Sequence, residues 1–593
     1  MKPLLLACLG LLIISSCKDK DKAKKTTSIT VNPSAPSVRA GETLPLTAAV
    51  VPAEAAQDVI WTSSEPTIAN INASTGVATG VAKGSAIITA TAADGSRVTG
   101  TATLTVTARR VTSVTVNPSV ASVRVGETLP LAAVVAPADA TQTVSWTSAN
   151  PTIAAIDAVS GVVTGAAAGT VAITAAAADG SGITGTATLT ITASRDASVS
   201  AITLGEENFN ATVPAAGQTA TLANAPRTIL SVLAAVKVNI TAAAHASIKI
   251  GSAPFTQGQT ANFANSVTFT VTAQDGTTVK SYTIYIPAYD AATNPYGIYT
   301  AKHLADVNNG LNQNFLLKND ITLPNKEVPA AAVITGIPDY ASAGWLPLDV
   351  FDGIFDGGGF VINNFYVNRT EENVGLFGRL RGTVKSLGVN GATGTAAAGR
   401  SGTGWQLTGI LAGSNDGIID KCCATGNISA SSSSSSSDVR VAAGILAGYN
   451  FSHISHCYAA GNASSSDAVA VAVVSAGGLT GGNKGSISHC YATGNASSSS
   501  PANAYAGGVA GYVKDGTSEN CYRNSNATIT KNGINISASP DDASIAGIAA
   551  KTKAEMQTDA FKNSLNGASG TIWGRSDSKN DKLPYLIGVG VGK

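Results

Sequence analysis

Glycine-bounded units in the C-terminal half constrain this chain more than any other feature. Gly375-Leu376-Phe377-Gly378 is followed by Val384 and Leu387. Gly409-Ile410-Leu411-Ala412-Gly413 leads to Ile419 and Cys422, Gly444-Ile445-Leu446-Ala447-Gly448 to Ile454 and Cys457, and Gly477-Gly478-Leu479-Thr480-Gly481 to Ile487 and Cys490. The β-branched residue stands six places after the closing glycine each time, and the last residue nine. A degenerate copy runs from Gly507 to Cys521. A unit this small cannot bury its own apolar side chains, so the copies must stack on one another. Short strands between glycine corners predict a right-handed parallel β-helix over 294–588, with neighbouring strands ~4.8 Å apart. The glycines are expected to permit sharp bends at its corners.

The motif resembles the GLUG repeat, named for its Gly-Leu-x-Gly core, and Gly375 to Gly378 is its clearest instance. Before the first full unit, Pro295 to Leu304 predicts a strand and a short helix, Phe315 to Leu323 a strand, and Phe355 to Phe365 a tight glycine turn and another strand. Trp573 and Leu583-Pro584-Tyr585-Leu586 are expected to close the last turn. Serine runs recur between units, at Ser431 to Ser437, Ser464 to Ser466 and Ser497 to Ser500. They read as solvated loops along one edge, with a ligand surface there as the alternative.

The N-terminal third is a gapless duplication. Val31-Asn32-Pro33, Gly41-Glu42-Thr43-Leu44-Pro45-Leu46, Trp61-Thr62-Ser63 and Asp94-Gly95-Ser96 all recur 85 residues later, with Trp61 matched by Trp146. Each copy reads as short β-branched strands with an Asp-Gly hairpin signal, which predicts a β-sandwich with the tryptophan between its sheets. The Gly-Glu-Thr-Leu and Trp-Thr-Ser-x-x-Pro-Thr-Ile-Ala stretches, with Gly76-Val77-Ala78-Thr79-Gly80 and its counterpart Gly161 to Gly165, resemble the group 2 bacterial immunoglobulin-like domain. That resemblance implies a spacer or adhesion stalk over 26–108 and 109–194. Residues 196–288 follow another plan. Val267 to Ala273, Asp275-Gly276 and Val279 to Ile286 form a terminal hairpin resembling a bacterial cadherin-like sandwich. No acidic cluster of the kind that binds calcium at true cadherin junctions appears, so calcium is not expected here.

The first residues bear on compartment. Lys2 precedes an apolar run from Leu4 to Ile14 that ends in Ile14-Ser15-Ser16-Cys17. The run is shorter than the roughly 20 residues a membrane span needs, and it fits a signal-peptide core. The sequence resembles a bacterial lipobox, which implies cleavage after residue 16 and lipidation of Cys17; the alternative is an ordinary secretory peptide with an incidental cysteine. A charged tether over 17–25 follows. It is similar to signals that send some lipoproteins to the outer face of the outer membrane, although its lysines depart from the more acidic versions, and the periplasmic face stays open. A net charge of +1 gives no electrostatic footprint for nucleic acid.

Candidate chemistry is sparse. Cys422, Cys457, Cys490 and Cys521 share a repeat position with Leu387, and Cys423 stands beside them. A place that accepts leucine reads as a buried apolar site, so stacked reduced thiols are favoured over disulfides. His456 and His489 share another position near His453, as a column that could hold a metal only weakly. No His-Glu-x-x-His occurs, which removes the zinc-peptidase reading that GLUG repeats would otherwise admit. Asp352 with Asp356, and Asp416 with Asp420, are the carboxylate pairs that could serve a polysaccharide-cleaving β-helix, but each lies beside a glycine turn where aspartate is common.

The sequence therefore predicts an all-β chain of three tandem β-sandwiches followed by a right-handed parallel β-helix. It predicts a membrane-anchored, adhesin-like or binding protein with a glycan or protein ligand on the β-helix, with no catalytic, metal or cofactor site. A carbohydrate-active β-helix enzyme is the competing reading, and a purely structural surface component is a third.

Overall fold

The computed structural model describes residues 24–325, 334–391, 404–432, 439–467, 473–567 and 570–593. The leader, Cys17 and the tether through Ala23 lie outside the described residues, as do Ser433 to Ser437. The chain divides into two compact units. One comprises Met1–Ala197 with Ala244–Ala246 and Thr272–Val279; the other comprises Ser198–Ala243, Ser247–Val271 and Lys280–Lys593.

In the first unit, alternation along the strands builds two β-sandwiches. Thr99–Thr107 buries every second residue, Gly100, Ala102, Leu104 and Val106, and exposes threonines between them. It pairs antiparallel with Gly84–Ala92 around Asp94-Gly95 and parallel with Ser37–Arg39. Val59–Ser63 completes that sheet, and Thr43–Pro45, Val77–Gly80 and Ala69–Ile71 form a second. Trp61 is 4% exposed within the core. Gly76 crosses its ring with φ +70°, and a Cβ there would lie 2.8 Å from the indole. Gly161 meets Trp146 in the same way, at 2.7 Å. This close approach, together with the left-handed backbone, explains the repeated glycine. Asp94 does more than turn the hairpin: it accepts from the Thr26 amide at 2.7 Å and the Thr26 hydroxyl at 2.8 Å, which pins the start of the domain.

In the second unit, a third sandwich uses Val199–Leu204, Val236–Ala242, Phe209–Ala211 and Thr260–Ala261 in one sheet. Beyond it the chain winds into a parallel β-solenoid of about five turns. One coil shows the plan: Arg440–Gly444 (wall 1), Ala447–Asn450 (wall 2), His453–Ser455 (wall 3), Tyr458–Ala460 (wall 4) and Asn462–Asp467 (wall 5). The register is strict. Ala412, Ala447, Thr480 and Ala510 align on wall 2, and Ile419, Ile454 and Ile487 align inside wall 3. Walls 3 and 4 continue N-terminally to Tyr296–Ile298 and Ile321–Thr322.

The glycine corners work differently from the expectation. Gly409, Gly413, Gly444, Gly448, Gly477 and Gly481 do not have positive φ; they have no room for a side chain. A Cβ at Gly448 would stand 2.3 Å from the Thr408 amide nitrogen, and one at Gly477 would be 1.9 Å from the Thr480 carbonyl. The left-handed places belong instead to Ser386, Lys421, His456, His489 and Asn520, each just before the buried Leu387 or cysteine.

Two further expectations are corrected. The serine segments Ser464 to Ser466 and Ser497 to Ser499 are not loops; they are strands of wall 5. Their small side chains alternate, with Ser465 and Ser498 buried and Ser464 and Ser497 outward, so a polar run still obeys the two-residue period. The Trp573 and Leu583 to Leu586 segment does not close a last turn. It runs along the outside of wall 4, where Trp573, Met556, Phe561 and Leu586 cover Tyr458 and Tyr491. Asp542 caps the final coil instead, accepting from the amides of Val509 and Ala510 at 2.6 and 3.1 Å.

Candidate ligand-binding face

The outer columns of walls 1 and 2 carry a cleft and a group of aromatic side chains that coil stacking leaves unspent. On wall 2, Val350, Arg379, Ser414, Tyr449, Gly482 and Tyr512 stand in one column. On wall 1, Asn373, Leu407, Ala442, Ser475 and Tyr505 form another. At their N-terminal end a cleft of about 810 Å³ is lined in part by Lys302, Asp306, Asp349, Glu371, Glu372 and Arg379. Arg379 grips Asp416 through two bonds of 3.0 Å, Lys302 pairs with Glu207 at 3.3 Å, and Asp306 faces Arg227 at 3.7 Å. Asp349 and Glu372 have no ion-pair partner among the described residues, which leaves the cleft acidic.

Two to four coils further on, the same columns carry aromatic rings. Tyr449 stacks on Phe451 at 4.5 Å, and Trp405 stacks on Phe451 at 5.8 Å and 15°. The Arg440 guanidinium lies 5.0 Å from the Trp405 ring and 5.6 Å from that of Tyr512. Gly482 makes room for this shelf, since a Cβ there would fall 2.3 Å from the Tyr449 ring.

The residues singled out in the sequence have other duties. Asp352 is held by Arg381 through two bonds of 2.8 Å, and Asp356 by Lys385 at 3.2 Å and the Gly358 amide at 2.9 Å. Asp420 accepts from Ser455 at 2.7 Å and meets His456 at 3.0 Å. Burial alone would raise its carboxyl, but those hydrogen bonds hold it below the ordinary aspartate value. These carboxylates are rungs of cross-coil pairs, so neither pair is presented as a free acid and base. His456 and His489 stack at 5.1 Å, while His453 turns to Ser486. Among the described residues, no group of three or more His, Cys, Asp or Glu side chains could hold a metal ion. Cys422, Cys457, Cys490 and Cys521 are free, fully buried thiols in one column, and the Cys422 amide reaches Cys457 Sγ at 3.4 Å. Burial drives the Cys457 thiol well above its ordinary value.

Sequence reasoning missed the cleft and the shelf, whose residues come from separate coils. It also missed a buried amide column of Asn415, Asn450 and Asn483. That column had a visible signal: asparagine recurs two places after the closing glycines Gly413, Gly448 and Gly481.

The family model for the bacterial Ig-like domain (group 2) matches residues 25–107 and 110–190, so the chain carries two such domains. An Ig-like virion protein of Serratia phage KSP90 is 45% identical over 158 residues, 26% of this chain and 60% of that protein. Ice-binding protein 1 of Shewanella frigidimarina is 35% identical over 161 residues, 25% of this chain and 18% of that one. Among solved structures, the C-terminal 282-residue fragment of intimin, in complex with the intimin-binding domain of its translocated receptor, is 21% identical with a TM-score of 0.19, covering 29% of this chain and 65% of the fragment. The chain thus spans less than two thirds of each of these three. Among the described residues, no helix is long and apolar enough to cross a membrane.

Proposed function

We propose, from two bacterial Ig-like domains followed by a third sandwich and a β-solenoid, that this chain is an extracellular, adhesin-like binding protein. In this reading Cys17 is lipidated and anchors it to the outer membrane, the sandwiches act as a stalk, and the solenoid engages a glycan or protein. Two or three acyl chains, at about 0.8 kcal/mol per buried CH₂, would suffice for a stable anchor. One observation supports the binding role above the others. Interior columns of the solenoid are consumed by mutual burial, and Asp352 and Asp356 by ion pairs, whereas the outer columns of walls 1 and 2 keep a cleft and an aromatic shelf.

The reading is tested on intact cells producing the full chain. Labelling with a palmitate analogue, followed by protease shaving, is expected to find a lipidated, surface-exposed protein. Cys17→Ala is expected to abolish both the label and the surface display. Cells displaying the chain should bind at least one member of a glycan and host-matrix panel. A blank panel with intact display would favour the purely structural role, and polysaccharide cleavage would favour the enzyme.

A further inference from the structure

The geometry points to a specific ligand class at the Trp405 shelf: an acidic saccharide, its ring face laid on the aromatic side chains and its carboxylate taken by Arg440. This rests on the binding role proposed above and names the site and chemistry of that role.

Three observations carry it. First, the rings are preorganised. Trp405 and Phe451 are half-buried, Tyr449 is 3% exposed beneath them, and their stacking distances of 4.5 to 5.8 Å fix all three. Such a surface offers π faces to the C–H groups of a pyranose with little side-chain entropy to lose. Second, the Arg440 guanidinium is held between Trp405 and Tyr512. Its Nη1 is buried without a hydrogen-bond partner, and Arg440 forms no ion pair among the described residues. An arginine flattened against rings still presents an N–H fork, and the partner that best matches that fork is a carboxylate. Third, Tyr449, Gly482 and Tyr512 follow one another in a single column of wall 2, so the shelf extends over successive coils. Coils ~4.8 Å apart would give an extended polysaccharide about one sugar per coil along that direction. Gly482 belongs to this design, because any side chain there would displace Tyr449.

Affinity electrophoresis of the purified full chain, through gels containing alginate as the polyuronate and dextran as the neutral control, tests the inference at physiological salt. Retardation by alginate but not dextran is expected. It should weaken at least tenfold in Trp405→Ala and in Arg440→Gln. Gly482→Leu should do the same by unseating Tyr449. Thermal unfolding of each variant is recorded, and if Trp405→Ala unfolds, Arg440→Gln carries the test. Three outcomes would overturn the inference: no retardation, retardation unchanged in Arg440→Gln, or equal retardation by dextran. Any of these with cells that still bind the glycan and host-matrix panel removes the site and leaves the binding role standing; a blank panel as well removes both.

Discussion

Asn450 donates from its side-chain amide to the side-chain oxygen of Asn483 at 2.8 Å, and both residues are fully buried. Asn415 donates to Asn450 in turn at 2.7 Å, and Asn450 also reaches the Ser486 carbonyl at 3.3 Å. Asn415 and Asn450 thus each satisfy a neighbour's side chain and a turn backbone that would otherwise be stranded in the core, while the Asn483 side-chain nitrogen ends the column without a partner. Asn450→Ala removes the middle of the column and leaves groups on both sides unpaired. A cost of about 2–4 kcal/mol is expected, seen as a lower denaturant midpoint. Asn450→Ala with an unchanged midpoint would mean that water replaces the amide freely.

The corner glycines give a paired comparison. Gly448 has no positive φ, but a Cβ would meet Thr408 and Gly413 backbone atoms at 2.3 and 2.6 Å. Gly533 has φ +78° and open space around it. Gly448→Ala is expected to cost about 3 kcal/mol or more through overpacking, and Gly533→Ala only about 1 kcal/mol through backbone strain. Thermal melts of the two variants decide this; the reverse order would show that bending, rather than crowding, selects the corner glycines.

Glu207 of the third sandwich meets His303 of the solenoid's first helix at 2.9 Å and Lys302 at 3.3 Å. Burial alone would raise its carboxyl, but hydrogen bonds from His303 and Thr228, with the His303 and Lys302 charges, bring it down to about 2 from an ordinary 4.5. A depressed folded-state value means stability that is present above the unfolded value and lost as pH falls through the folded one. Wild-type stability should therefore fall between about pH 4.5 and 2 more steeply than that of Glu207→Gln. Melting temperatures across that window report the difference; parallel curves would remove Glu207 as its source.

The thiol column predicts a clear labelling pattern. In the folded chain Cys422, Cys457, Cys490 and Cys521 should resist maleimide, because each is fully buried and burial holds Cys457 as a neutral thiol. In denaturant without reductant all four should react. Fewer reactive thiols would show that adjacent coils are bridged.

Much of the architecture was readable from the residues because stacking imposes a period. The spacing from Gly413 to Cys422 and from Gly448 to Cys457 can repeat only if the chain returns to the same wall. Trp61 and Trp146 were legible as core anchors because each stood once in a duplicated unit of small side chains. Wall 5 was misread because serine runs carry no hydrophobic contrast, although Ala463 and Ala496 supply the buried positions beside them. The C-terminal arm was misread because Trp573 marks burial without saying against what. Of the candidate face, Asp349 joins Glu372 in the cleft, and Arg440 joins Trp405 on the shelf, only through the register of coils. No local motif could have announced them.

Hydrogen–deuterium exchange on the full chain, with and without the polysaccharide or matrix fraction that it retains, shows which part of the protein holds the ligand. If the outer columns of walls 1 and 2 engage the ligand, peptides containing Asn373 to Leu380, Trp405 to Asn415 and Arg440 to Phe451 gain protection while residues 26–194 do not. Protection confined to the Ig-like domains would contradict the account and make the stalk the binding module.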